Sequence, residues 1–384
     1  MTRVMAPADR LDCVVIGGGI LGLCTAFFLA EGGMAVEVID DGRLGGTTAN
    51  AGSLHVQMQS RFMRLYPDQV AGLESTLHLY PKAVAFWRDL QSALGANFDL
   101  KMTGGLMVAE SADQLAFLDY KAGRERKLGL AVDILGRSDL DRIAPYLGPQ
   151  VIGAELCHDE GKLNPLLANA ALRRHATELG VRFHDRMAAV AVVVESRGYR
   201  VVTQSGFRFA RRLVLAAAAG TALLAAQLGL RIPAEAEPLH MNITEPTAPL
   251  IAHLVQHADR PITLKQFGTG QVVIGGGWPA RLAGRRDCPT VTFDSLIGSA
   301  TLAQHIVPRI GPLRIIRTWA GLNTTVDGRG VLGAVDGLPG LFVAIPGDAG
   351  YTLGPLSARL VADTVLGLPP REDMAPFAPT RFAA

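Results

Sequence analysis

The chain of 384 residues is 49% apolar and 19% charged, with a formal charge of +2. This composition excludes a disordered protein, and the even mixture of acids and bases makes neither nucleic acid nor an anionic membrane the main partner. The longest apolar run, 213–230, is broken by Gly220, Thr221 and Gln227, too soon for a membrane span.

Residues 1–12, "MTRVMAPADRLD", lack the apolar core of a signal peptide, and cytoplasmic residence is the expectation. Cys13, Cys24, Cys157 and Cys288 stand at no metal-ligand or redox spacing, so no metal or iron–sulfur site is expected within the chain. Cys13 and Cys24 lie in apolar patterns and read as buried thiols.

The apolar run 14–16 reads as a parallel strand covered on both faces, and 20–30 has helical spacing that stops at Gly32-Gly33. "VEVID" at 36–40 is a second short strand and completes one βαβ unit. Residues 80–94 read as an amphipathic helix with Val84, Trp87, Leu90 and Leu94 near one face. "TGGLMVAE" (103–110) reads as a strand, 111–128 as a helix with Ser111 at its N-cap, and 166–180 as a helix with a glycine stop. Strands follow at 190–194, 199–203 and 212–217. "LHMNITE", "ITLKQF" and "QVVIGGGW" make the second half β-rich, and 341–367 reads strand, glycine-rich turn, helix. The expected fold is α/β, α+β overall. A Rossmann-like domain (1–96, 148–226 and 319–384) is interleaved with a β-rich substrate domain (97–147 and 227–318).

The first strand–helix turn places Gly17, Gly19 and Gly22 in a G-x-G-x-x-G template. The first glycine permits the tight turn, the second lets backbone N–H groups approach a pyrophosphate, and the third lets helix and strand pack closely. Asp40 follows eighteen positions after Gly22. A carboxylate there accepts from ribose hydroxyls and disfavours a 2′-phosphate, so the pattern predicts a dinucleotide other than NADP. A second glycine- and hydroxyl-rich loop, "DDGRLGGTTANAGSLH" (40–55), follows at once. NAD dehydrogenases need no such loop, whereas flavoproteins wrap the pyrophosphate with one, so FAD is the expected nucleotide. "VIGGGWPA" (273–280) imitates a phosphate loop, but Trp278-Pro279 leaves no helix after it. It reads as a strand end where Gly276 and Gly277 allow close backbone approach to flavin or substrate.

Five segments in order carry a family resemblance. They are "GGTTANAGSLH", "EGKLNPLLANAALRRHATELGV", "RLVLAAAAGTAL", "RTWAGLNTTVDGRGVLGAV" and "GDAGYTLGP". On them the sequence resembles the FAD-dependent amine and amino-acid oxidoreductases. That family includes glycine oxidase, D-amino-acid oxidase and the β-subunit of heterotetrameric sarcosine oxidase. Departures are Asn164 for aspartate, Ala218 for glycine and Gly220 for tryptophan. "TTANAGSLHVQ", "TGGLMVAE", "EGKLNPL" and "LKQF…IGGGWPA" most resemble the β-subunits of bacterial opine (octopine or nopaline) oxidases.

The resemblance implies FAD contacts at Gly17, Gly19, Ile20, Leu21, Gly22, Asp40 and Asp41. It extends them to Gly46, Thr47, Thr48, Asn50, Ala51, Gly52, Ser53 and Leu54, and to Val190, Ala217, Gly321, Gly350, Tyr351, Thr352 and Leu353. It implies hydride transfer from the Cα–H of an N-substituted amino acid to flavin N5. The imine then hydrolyses to an amino acid and a 2-oxo acid. It also implies a hetero-oligomer with an α-subunit carrying a second nucleotide site and a small iron–sulfur subunit or domain. FMN at a subunit interface is an optional second cofactor. No histidine or cysteine stands in a covalent-flavin position, and the region around Lys162 reads "KLN", so both flavins are expected to be dissociable.

Backbone N–H groups at 350–354, ahead of the helix "PLSARLVADTVLG", are expected to meet the charge at the flavin N1–C2=O edge. No protein base is required. The substrate carboxylate requires a cation. Asn323 in "GLNTT" stands where glycine-oxidase-like relatives carry arginine, which argues against a simple small amino acid as substrate. Lys265 in "TLKQ" is the first replacement, ahead of Arg317, Arg329 and Arg61, and Arg317 has a structural pairing as its alternative. His55 reads as a polar contact or proton acceptor or as a loop histidine, and His240 ranks below it. The catalytic candidates are therefore His55, Lys265, Arg317 and Asn323. Two other readings stay open. One is a stand-alone D-amino-acid, glycine or sarcosine-type oxidase that uses oxygen. The other is a non-catalytic flavin subunit of an electron-transfer complex, which Ala218 and Asn323 keep open.

Overall fold

The computed structural model describes residues 11–43, 45–283 and 288–382. The leader expectation rests on residues 1–12, of which 1–10 lie outside the described set. The chain divides into two compact units. The first comprises Met1–Thr47, Asn169–Ala236 and Thr324–Ala384, and the second comprises Thr48–Ala168 and Glu237–Asn323.

A six-stranded sheet organises the first unit. Its order is Val331–Ala334, Leu341–Ile345, Arg212–Leu215, Cys13–Ile16, Val36–Asp40, Arg182–Asp185. All pairings are parallel except that of the Val331–Ala334 edge strand. The central strand is buried along its whole length, as an all-apolar run in a doubly covered sheet should be. Helix Ile20–Glu31 is buried from Ile20 to Leu29 and packs on helix Gly350–Leu366. That contact explains Gly354, where a β-carbon would stand 2.9 Å from Ile20 Cγ1. The helix begins at Gly350, earlier than the sequence suggested, with Pro355 inside it. A three-stranded meander, Ala189–Glu195, Gly198–Thr203 and Gly206–Ala210, shares the same core.

The second unit is built on an eight-stranded mixed sheet. Its order is Ile315–Thr325, Glu235–Pro246, Gln271–Gly275, Thr263–Gln266, Leu254–His257, Gly105–Ala109, Gly153–Cys157, Val132–Gly136. Leu106, Val255, Leu264 and Ile274 join a core completed by Leu302 and Ile306 of helix Phe293–Ile306. Side chains alternate along a strand, so Met107, Gln256, Lys265 and Val273 project to the opposite face. Residues 48–96 and 148–168, expected with the nucleotide domain, group with this unit. The reason is local: Ser53 pairs with Lys162, and Glu160 is hydrogen-bonded into the sheet through Gln256. Among the described residues, no helix is long and apolar enough to cross a membrane.

Candidate FAD and substrate site

In the first unit the strand Cys13–Ile16 ends in Gly17 at φ 108°, a conformation open to glycine and strained for other residues. A β-carbon on Gly17 would lie 2.3 Å from Ala216 O, and one on Gly22 would lie 1.8 Å from Gly17 O. The two glycines therefore let the turn close against the Arg212–Leu215 strand end and the following helix. No side chain caps helix Ile20–Glu31 at Gly19. The Ile20 N–H donates to Thr47 Oγ1 at 2.7 Å, which brings the second loop to the helix N-terminus. Asp40 accepts from the Gly18 and Gly42 N–H groups at 2.6 and 2.8 Å, and two of its four lone-pair sites remain for ribose hydroxyls. Asp41 is engaged by Arg43.

Tyr351 joins the same turn. Its hydroxyl donates to Asn169 Oδ1 at 2.9 Å, and Asn169 Nδ2 donates to Thr47 O at 3.3 Å. Asn169 was not singled out from sequence, although it lies inside the family-like "NPLLANAAL" segment. Thr352 and Leu353 are buried in the first turn of their helix. Gly46 stands in the turn just before Thr47, and Ala217 packs beside Gly17. Val190 lies on an edge strand, half exposed, with its carbonyl bonded to Gln227. Ala218 holds φ 52°, so an alanine occupies the left-handed conformation that favours glycine.

In the second unit the loop after Thr48 is tied down residue by residue. Asn50 Oδ1 accepts the Gly52 N–H, and Gly52, at φ 78°, would place a β-carbon 2.0 Å from Leu163 O. Ser53 and Leu54 pair antiparallel with Lys162 and Gly161. Trp319 Nε1 donates to Ala49 O at 2.8 Å, and Gly321 has no side chain because Ala49 Cβ would stand 2.3 Å away. Ala51 lies between these anchors.

Lys265 is fully buried and donates to Ser53 Oγ at 2.6 Å. Burial, then the charge of Lys162, pushes its ammonium down to about 7. Lys162 is itself lowered to about 8, by burial first and by Lys101 next. Other candidate cations are spread out. Arg317 is exposed with its guanidinium 5.6 Å over the Trp319 ring, and Arg329 pairs with Asp327 at 3.1 Å. Arg61 Nη1 is 3.7 Å from the position a Gly277 β-carbon would take. Asn323 Nδ2 donates to Glu237 Oε2 at 3.3 Å. His240 is buried and bonded to Asn242. Burial lowers its pKa, against a smaller opposing effect of Asn242. Gly276 approaches protein backbone, since its β-carbon would lie 2.5 Å from Thr263 N.

His55 Nδ1 lies 3.8 Å from Glu160 Oε1. Glu160 went unnoticed in the sequence. It opens the family-like "EGKLNP" segment, which was the available signal.

Residues 12–364 match the family described as FAD dependent oxidoreductase. The chain belongs to that family. An opine oxidase subunit of Rhizobium meliloti is 25% identical over 98% of this chain and 98% of its own. Glycine oxidase of Geobacillus kaustophilus is 26% identical over 97% of each chain. The crystal structure of glycine oxidase from Geobacillus kaustophilus shares the fold, with a TM-score of 0.83 at 24% identity over 98% of this chain and 100% of that one. The protein is thus an FAD-dependent oxidoreductase. The glycine turn at the N-terminus of helix Ile20–Glu31 and the Asp40 carboxylate, with two lone-pair sites left for ribose hydroxyls, both fit the dinucleotide.

Proposed function

We propose that this FAD-dependent oxidoreductase oxidises the C–N bond of an N-substituted amino acid, an opine such as octopine or nopaline. The observation that carries the reading is Asn323, an uncharged amide bonded to Glu237 where glycine-oxidase-like relatives carry arginine. The similarity to subunits of opine oxidases supports the substrate class. When bound, FAD supplies the two-electron acceptor for the substrate's Cα–H bond, leaving an imine that water hydrolyses to an amino acid and a 2-oxo acid.

The chain's own residues bind and orient. Gly17, Gly19, Ile20, Leu21 and Gly22 would hold the pyrophosphate on backbone N–H groups, and Asp40 would take the ribose. Residues 46–54 and Gly321 would contact the flavin, and the first turn of helix Gly350–Leu366 would offer N–H groups to its negative charge. Lys265, fully buried, donates to Ser53 Oγ and so holds the flavin-contacting loop instead of meeting a substrate carboxylate. Arg61 or Arg317 is left to meet a substrate carboxylate.

The opine oxidase and sarcosine oxidase relatives are named as subunits, which describes them as parts of larger assemblies. We extend that to this chain: an α-subunit with a second nucleotide site and a small iron–sulfur subunit or domain would receive the electrons. FMN at a subunit interface would be the second cofactor of such an assembly. Co-expression with genomic neighbours, followed by assay of octopine with a dye acceptor, tests the reading. Release of arginine and pyruvate is expected. Glycine turnover with peroxide release and no need of a partner would favour the stand-alone oxidase.

A further inference from the structure

Three consecutive backbone N–H groups, just past the loop read as flavin-contacting, point at two buried carboxylates. Val56 and Gln57 donate to Glu160 Oε1 at 2.8 and 3.1 Å, and Met58 donates to Glu125 Oε1 at 2.5 Å. The Gln57 side chain joins the two acids. Its Nε2 donates to Glu160 Oε2 at 3.0 Å, and its Oε1 accepts from Lys121 Nζ at 3.4 Å. Lys121 also donates to both oxygens of Glu125 and to Glu155. Gln256 Nε2 gives Glu160 a fourth donor at 3.0 Å. The side chains of Lys121, Glu125, Glu155 and Glu160 have no exposed area. Gly105 makes room for this cluster, since its β-carbon would stand 1.7 Å from Glu160 Oε2.

Stability alone does not account for such a cluster. Taking several charges out of water is costly, and well-packed apolar residues commonly do as well or better. Charge-assisted bonds from an inflexible acceptor instead hold the backbone to one geometry. The stretch they hold begins one residue after His55, whose Nδ1 is 3.8 Å from Glu160 Oε1. Its other side is held by Lys265 on Ser53 and by the Ser53–Lys162 pairing. Both ends of residues 53–55 are thereby fixed to the sheet.

We propose that Glu160, with Glu125, is a carboxylate clamp that presets residues 51–55 for flavin binding, Glu160 being a positioning residue that acts through the backbone of 56–57. The proposal rests on the reading of 46–54 as flavin-contacting. Its test uses the full apoprotein and three readouts: FAD affinity by flavin fluorescence, amide exchange over 46–58 with and without FAD, and the melting temperature. In the parent, added FAD should slow exchange at 46–54. Glu160→Gln should keep the fold, speed exchange at 51–58 and weaken FAD binding about 10-fold. Glu160→Gln combined with Gln57→Glu should restore affinity to within about threefold, because the new amide still accepts from Val56 and Gln57 while donating to the relocated carboxylate beside Lys121. Parent-like exchange and FAD affinity in Glu160→Gln would overturn the clamp. So would loss of affinity that follows only a lowered melting temperature and is not restored by the double variant. If FAD leaves exchange at 46–54 of the parent unchanged, the loop reading itself fails and the clamp falls with it.

Discussion

Lys265 Nζ and Ser53 Oγ lie 2.6 Å apart, though 212 residues separate them in the chain. The contact joins the middle of a sheet strand to the glycine- and hydroxyl-rich loop. It also leaves a fully buried lysine with one hydroxyl as its hydrogen-bond partner among the described residues. Burial disfavours an ammonium so sparsely solvated, and the direction of its pKa follows from that.

The folded-state value of Lys265, about 7, lies below that of an unfolded lysine, so unfolding takes up a proton between about 7 and 10.5. Its contribution to stability therefore improves as pH rises through that window and is worst below it. Lys265→Met should raise stability at pH 7 by about 1–3 kcal/mol and flatten this part of the pH dependence. Denaturant unfolding at about pH 6.5 and about pH 9 checks both.

Gly22 and Gly123 make a contrasting pair. A β-carbon on Gly22 would sit 1.8 Å from Gly17 O, whereas one on Gly123 meets nothing within 4 Å. Gly22→Ala should abolish FAD retention through purification and destabilise the first unit by about 2 kcal/mol or more. Gly123→Ala, inside helix Ala112–Lys127, should stabilise by about 0.5–1 kcal/mol with its flavin content unchanged.

Ala218 at φ 52° sits where a side chain is strained. Ala218→Gly should relieve about 0.5–1 kcal/mol of strain and leave FAD affinity within twofold. Calorimetry with a parallel flavin titration decides. A tenfold gain in FAD affinity would instead mark Ala218 as a damaged cofactor contact and favour the non-catalytic reading.

Asn323 and Glu237 test the substrate assignment. Asn323→Arg alone should give no glycine oxidation, because the new guanidinium pairs with Glu237 beside it. Glycine turnover appearing only in Asn323→Arg/Glu237→Gln is the expected steady-state result.

The nucleotide half of the fold was legible because its signals are local. A strand, three spaced glycines, a helix and an acid follow one another from Cys13 to Asp40, and each has one physical purpose. Lys265 was legible as a residue of interest, but its partner Ser53 was not, since no spacing rule connects residues 212 apart. Glu160 and Glu125 stayed invisible for a related reason. A carboxylate in a polar stretch reads as solvated until the fold shows it buried against three amides. The helix start is hidden in the sequence because Pro355 resembles a first-turn proline, whereas the helix begins at Gly350. Residues 48–96 and 148–168 were grouped by their flavin-family motifs, while their contacts follow the eight-stranded sheet.

The most direct test of the central claim is anaerobic mixing of the FAD-loaded protein with a panel of opines, D-amino acids, glycine and sarcosine while the flavin absorbance is followed. Octopine or nopaline should bleach the yellow band, with slow recovery when air is admitted. Bleaching by glycine or a D-amino acid with immediate recovery in air, and none by any opine, would contradict the account.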